Sequence, residues 1–182
     1  KYQIKTIIVN IIKHNNVFFN TGLLSKAPRF ANVFNYDNET YFNIRNEIIQ
    51  AFELGYGYVS EKFALNFNAY NTLWKNKPES GTYSNEASET ASYNINGIDA
   101  LHQGLELDFA WKISQSFKYD FLSSIGKWKW ISGDTVNLYS NQQLIASEYF
   151  DARGVSVGDS PQIQIGSSIN YSHKFNEKIS TY

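Results

Sequence analysis

The sequence contains no cysteine and no methionine, and only three prolines in 182 residues. Lack of cysteine excludes a disulfide framework, thiolate zinc sites and thiol catalysis, and leaves the compartment open. No uninterrupted apolar stretch approaches the roughly 18 to 20 residues that a membrane helix needs, so a helical membrane protein is excluded. Positive charge is not in excess either: 16 Lys and Arg stand against 17 Asp and Glu, and no basic block occurs. Nucleic acid is therefore not expected as a partner. The chain begins at Lys1 without an initiator or a leader-like segment, which leads us to expect a processed chain or a piece of a longer one.

What the sequence has in quantity is aromatic side chains. Thirteen Tyr, thirteen Phe and four Trp make up 16% of the chain, which with scarce proline argues for an ordered, strand-rich fold. Period-two alternation is the clearest signal. Phe52, Leu54, Tyr56 and Tyr58 alternate with Ala51, Glu53, Gly55 and Gly57. The pattern recurs over 63–73, 105–113, 117–126 and 163–171, more weakly over 2–12 and 17–25, and a last strand begins near Lys178.

Connections alternate in length as well. Short links fall at about 13–16, 60–62, 114–116 and 174–177, and long polar links at about 26–46, 75–97 and 131–161. In an up-and-down meander this puts tight turns at one end and large loops at the other, as in outer-membrane barrels. Strands of about ten residues tilted by roughly 40° give the apolar band, about 25 Å tall, of such barrels.

Alternation alone does not say which face is inside, since a soluble barrel also alternates, with its apolar side inward. Two features favour apolar side out. Aromatics flank the short turns (Tyr58 with Phe63, Trp111 with Phe117, Tyr171 with Phe175), where an interfacial girdle belongs. The apolar face is also uniformly bulky, against Gly, Ser, Asn and Gln opposite. Phe52, Leu54, Leu65, Phe67, Leu105, Leu107, Phe109, Ile163 and Ile165 are accordingly expected to face lipid. The expected fold is all-β, an antiparallel up-and-down transmembrane β-barrel, of which about seven to eight strands are present.

Particular segments resemble a family. The runs Asn16 to Gly22 and Ser25 to Phe30, then Ala51-Phe52-Glu53-Leu54-Gly55-Tyr56-Gly57-Tyr58, are similar to barrel segments of TonB-dependent outer-membrane receptors of the Bacteroidetes type. So are Asn68-Ala69-Tyr70 with Trp74 and Asn76-Lys77-Pro78, Asn94 to His102, Gly104 to Phe109, and Val157 to Gln162, all in the same order. The resemblance covers nearly the whole chain and implies a 22-stranded barrel with an N-terminal plug, coupled to TonB, importing chelated iron, cobalamin or oligosaccharides. No plug domain, TonB box or terminal aromatic signature stands in this segment. Residues 1–182 thus read as part of one outer-membrane β-barrel domain, from the later part of a receptor in a bacterial outer membrane. Its expected partners are outer-membrane lipid, the plug and TonB through the rest of the chain, and a small-molecule or metal-chelate ligand. Two alternatives are a complete eight-stranded barrel (adhesin, anchor or lipid-modifying enzyme) and a soluble sugar-binding β-protein.

For a binding site, Arg29, Arg45 and Arg153 lie in or beside the long links, where guanidinium groups would meet an anionic chelate. Trp128 and Trp130 fall on the lumen parity at the loop end of their strand and offer stacking surfaces. Against these readings stand solvated loop charge and ordinary aromatic packing. Glu106 and Asp108 share the lumen face and could pair for acid-base work or cation binding, or simply face water or plug groups. His14, His102 and His173 have no ligand spacing, Gly158-Asp159 reads as a turn, and no nucleophile elbow or triad spacing is visible. Neither enzymatic activity, a metal site nor a cofactor is expected.

Overall fold

The alternating segments fold as antiparallel strands: β1 (Tyr2–Ile12), β2 (Asn15–Lys26), β3 (Glu47–Val59), β4 (Phe63–Ser84), β5 (Thr90–Lys112), β6 (Phe117–Trp130), β7 (Gly133–Ser140), β8 (Gln143–Asp151), β9 (Ile163–Tyr171), β10 (His173–Asn176) and β11 (Ile179–Thr181), with one short helix, α1 (Phe30–Val33). The computed structural model describes residues 2–34, 44–84, 90–140, 143–158, 161–176 and 179–181. Seven strands run side by side in the order β1-β2-β3-β4-β5-β6-β9, while β7 attaches to β5 and carries β8. β10 and β11 pair separately, through His173 with Thr181. The chain is thus an all-β up-and-down section of a barrel wall.

Local sequence explains the short turns. Ser60 and Ser114 stand three residues before Phe63 and Phe117, and each serine Oγ accepts the phenylalanine N–H, at 3.0 and 3.1 Å. A serine hydroxyl in this position closes a tight turn without needing glycine. Between β1 and β2, His14 takes φ 81° within a two-residue turn, so this histidine serves the backbone.

Two of the three links expected as loops are largely strand. β4 and β5 stay paired beyond Trp74 up to Ser84 with Thr90, and residues 133–151 form the β7–β8 hairpin. Strands there lack a continuous apolar face, so hydrophobic periodicity cannot mark them. β5 is 23 residues long, whereas a strand crossing a bilayer needs about 9–11. Residues 26–46 hold α1, and 35–43 of that link lie outside the described residues. Bulges between Trp74 and Glu79 separate the wall from this extension. Asn76 adopts φ 56° there and Pro78 needs no ladder donor, as suits a bulge.

Cross-strand register makes the two faces continuous. Phe19, Leu54, Ala69, Leu105, Ile125 and Ile163 stand abreast on six neighbouring strands, and Val17, Tyr56, Phe67, Leu107, Ser123 and Ile165 form the next row. All nine side chains expected to face lipid share this face. Ile165 is 71% exposed and Leu54 55%. Beside the short turns, ring contacts run from Tyr58 to Phe63 (6.2 Å), Phe109 (5.7 Å) and on to Phe121 (5.2 Å), with Phe117 against Tyr171 at 4.8 Å. The Phe175 side chain lies outside what is described.

The accessible surface, 12833 Å², exceeds the about 9,000 Å² expected of a compact monomer of this mass. What core there is sits in the extension: Ile95, Ile98 and Ala152 are buried, with Tyr93, Trp130 and Val136 packed on them.

Candidate functional site on the polar face

Opposite the apolar rows, β4 places asparagines between carboxylates. Asn68 Nδ2 donates to Glu53 Oε1 on β3 (2.6 Å) and to Glu106 Oε2 on β5 (3.2 Å), and Asn20 Nδ2 on β2 donates to the other Glu53 oxygen (2.7 Å). Asn66 Nδ2 reaches Asp108 at 2.9 Å, and Asn170 Nδ2 on β9 reaches Asp120 at 3.0 Å. Glu106 and Asp108 therefore each take an amide from β4. The donors fix the amide orientation, because a flip would aim each carbonyl at a carboxylate. Asn20 Oδ1 and Asn68 Oδ1 are left buried without a partner. Lys118 neutralises Asp120 (2.8 Å), but no ion pair reaches Glu53, Glu106 or Asp108 among the described residues.

Above this ladder, glycines let aromatic rings lie flat on the sheet. Gly104 and Gly126 are cross-strand partners. A Cβ on Gly104 would sit 2.4 Å from Tyr70 Oη, and one on Gly126 would sit 2.6 Å from Trp128 Nε1. Those two polar atoms bond to each other, Trp128 Nε1 donating to Tyr70 Oη at 2.8 Å. His102 stands beside Trp128 (5.6 Å between centroids) and Trp74 (6.3 Å), and its Nδ1 is buried without a partner. Ala51, Phe52, Glu53, Asn68, Tyr70, Thr72, His102, Glu106 and Trp128 line a shallow hollow of about 290 Å³.

One tier higher, Glu47 is 2% exposed and accepts from Lys26 Nζ (2.7 Å) and Trp74 Nε1 (2.9 Å). Lys26 and Lys77 lie over the Trp74 ring at 5.7 and 5.6 Å, and Lys77 also lies 5.1 Å from the Trp130 ring. At the junction with the extension, Asp99 accepts the Asn76 N–H (2.9 Å) and Asp134 accepts the Gly97 N–H (2.8 Å).

The residues singled out from the sequence are dispersed. Trp128 belongs to the hollow, and Trp130 packs on the Ile95 and Ile98 core. Arg29 is the N-terminal neighbour of α1 and Arg45 precedes β3; both are exposed. Arg153 lies beyond β6, so β4, β5 and β6 stand between it and Arg45. It closes on Asp151, donating through Nε (2.8 and 3.1 Å) and a terminal nitrogen (2.7 Å), and these bonds hold the Asp151 carboxyl at about 2. His102 lies within β5, and His173 opens β10. No group of three or more His, Cys, Asp or Glu is placed to hold a metal among the described residues. Tyr70, Trp74, Glu47 and Glu53 were not picked out as site residues. The signal for them was parity: all share the face of Glu106, and the Gly104–Gly126 pair marks where rings lie down.

These features define a class: an antiparallel β-barrel wall with one bulky apolar face and one face of amides, carboxylates and flat aromatics. No protein-family model and no curated protein matches the chain. Among solved structures it is similar to the copper transporter OprC, with TM-score 0.60 and 14% identity, over 96% of this chain and 31% of that one. The likeness is one of fold, and the chain spans under a third of that transporter's length.

Proposed function

We propose that the chain is a section of the barrel wall of a TonB-dependent receptor of the Bacteroidetes type in a bacterial outer membrane. The receptor takes up a chelate or nutrient such as a siderophore, cobalamin or an oligosaccharide, and performs no chemistry on it. The observation that carries this reading is the apolar face, continuous over six strands, exposed, and bordered by ring contacts beside the short turns. Lipid is the solvent such a face suits, and the polar face then lines the lumen. Further support comes from the ordered resemblance of segments and from the fold shared with a transporter. At 14% identity, that neighbour's copper lends nothing about the cargo here.

In this reading the plug and TonB contact come from the rest of the receptor, the extension of β4, β5, β7 and β8 stands outside the membrane, and ligand reaches the lumen past it. Cysteine labelling of the receptor in native outer membranes tests the orientation. A cysteine at Ile165 is expected to resist a water-soluble maleimide and to meet a lipid-soluble quencher, and one at Ser168 to behave in reverse. Labelling of Ile165→Cys in water, together with a monomer soluble without detergent, would sink the reading. Energy coupling is tested by uptake, which is expected to stop when TonB is deleted.

A further inference from the structure

We infer that the hollow beneath Trp128 is a site for an organic cation, a guanidinium or primary ammonium group carried by a small molecule in the lumen. The inference rests on the reading of the polar face as lumen, and it follows from the charge and the ring faces that the hollow presents. The Asn68 amide and the Trp128 indole N–H are already used, Asn68 donating to both carboxylates and Trp128 to Tyr70. What stands out at the hollow is negative charge with no counter-ion. Glu53 and Glu106 line the hollow, Glu106 is exposed, and neither has a cationic partner among the described residues.

The aromatic wall points the same way. Tyr70 and Trp128 are pressed onto Gly104 and Gly126, so they offer ring faces, which are the negative side of the quadrupole. A cation with several N–H donors complements two carboxylates and a ring face. An anion would meet two carboxylates, and a neutral polyol would leave their negative charge unopposed. The lysine amines one tier above are engaged, Lys26 with Glu47 and Lys77 with Glu79.

The test uses agmatine as the probe, with the complete receptor purified in detergent. Calorimetric titration is expected to show saturable binding that weakens with added salt. Glu53→Gln combined with Glu106→Gln is expected to weaken it at least tenfold, and Trp128→Leu by a smaller factor. Absence of agmatine binding to the unaltered receptor overturns the inference. So does glucose binding as tightly as agmatine and indifferent to the glutamine pair. If the glutamine pair fails to fold, the salt dependence and the glucose comparison on the unaltered receptor still decide. Maleimide labelling of Ser168→Cys in the same preparation separates the two readings. A labelled cysteine without agmatine binding overturns the cation site alone, whereas an unlabelled one overturns the lumen reading with it.

Discussion

The wall and the extension are built from the same kind of hairpin, yet they hold together differently. In the extension, β5, β7 and the return at Ala152 enclose apolar side chains, with Ile98 only 3% exposed. Within the wall strands no apolar side chain is buried below the level of Ala100 among the described residues, although Val157 is buried beside Trp128 at their edge; Ile165, Leu54 and Leu105 stand open, and the polar face is tied by amide-to-carboxylate bonds. The extension supplies its own interior. The wall has two outer faces, and what covers each must come from its surroundings, which in the proposed reading are lipid on one side and lumen contents on the other. A single β-sheet can thus carry a folded region and a solvent-defined region in continuous strands.

Ile98→Ala gives the largest expected effect. It removes a buried side chain from a small core and should cost about 3 kcal/mol, within the usual range for buried Ile to Ala changes. Hydrogen exchange of the β7 amides should accelerate accordingly. Ile165→Ala, on the exposed face, should change stability by less than about 0.5 kcal/mol, as surface substitutions do. Equal costs at the two positions would erase the distinction between the regions. Ile165→Lys sharpens it: a lysine at mid-depth on a lipid face costs about 2–4 kcal/mol in a bilayer. Unfolding titrations from lipid vesicles should show that loss, with β7 exchange unchanged. A neutral lysine would mean the face meets water.

The wall was largely legible in the sequence and the extension was not, for one physical reason. Where one face meets apolar surroundings and the other does not, side chains alternate in kind, and Phe52, Leu54 and Tyr56 announce a strand by themselves. Above Trp74 that contrast disappears. Ser80, Thr82, Ser92 and Asn94 pair as well as any wall residues, but their polarity reads as loop. Pro78 and Gly97 mark a bulge there. A Cβ on Gly97 would come 2.7 Å from the Asn76 Cα, so only glycine fits where the strands bend. The site was legible by halves. Parity put Trp128, Glu106 and Asp108 on the polar face correctly, whereas the partnership of Tyr70 with Trp128 spans 58 residues and depends on register. The three arginines were picked by their place in polar links, and composition cannot show that Arg153 would close on its neighbour Asp151.

The flat aromatic pair offers a smaller test within the wall. Tyr70→Phe removes the acceptor of the Trp128 indole N–H and should cost about 1 kcal/mol, the net worth of an ordinary hydrogen bond. The ring itself stays, so the hollow should keep its shape. Indole exchange, measured by NMR, should speed up at Trp128 and stay unchanged at Trp74, whose N–H is held by Glu47. Acceleration at both would mean that the two tiers move as one.

The smallest effect belongs to the end of the extension. The Asp151 carboxyl lies at about 2 instead of 3.8, chiefly because Arg153 donates side-chain hydrogen bonds to its charged form. A carboxylate whose folded value is depressed adds stability that is present above its unfolded value and fades as pH falls from about 4 toward 2. Both side chains are exposed, so water screens the pair and its net contribution should be slight. The titration midpoint is the sensitive readout. Arg153→Gln should return the Asp151 midpoint, followed by carboxyl NMR shifts, toward 3.8. A midpoint that stays near 2 would show that the β8 end itself, and not the guanidinium, sets it.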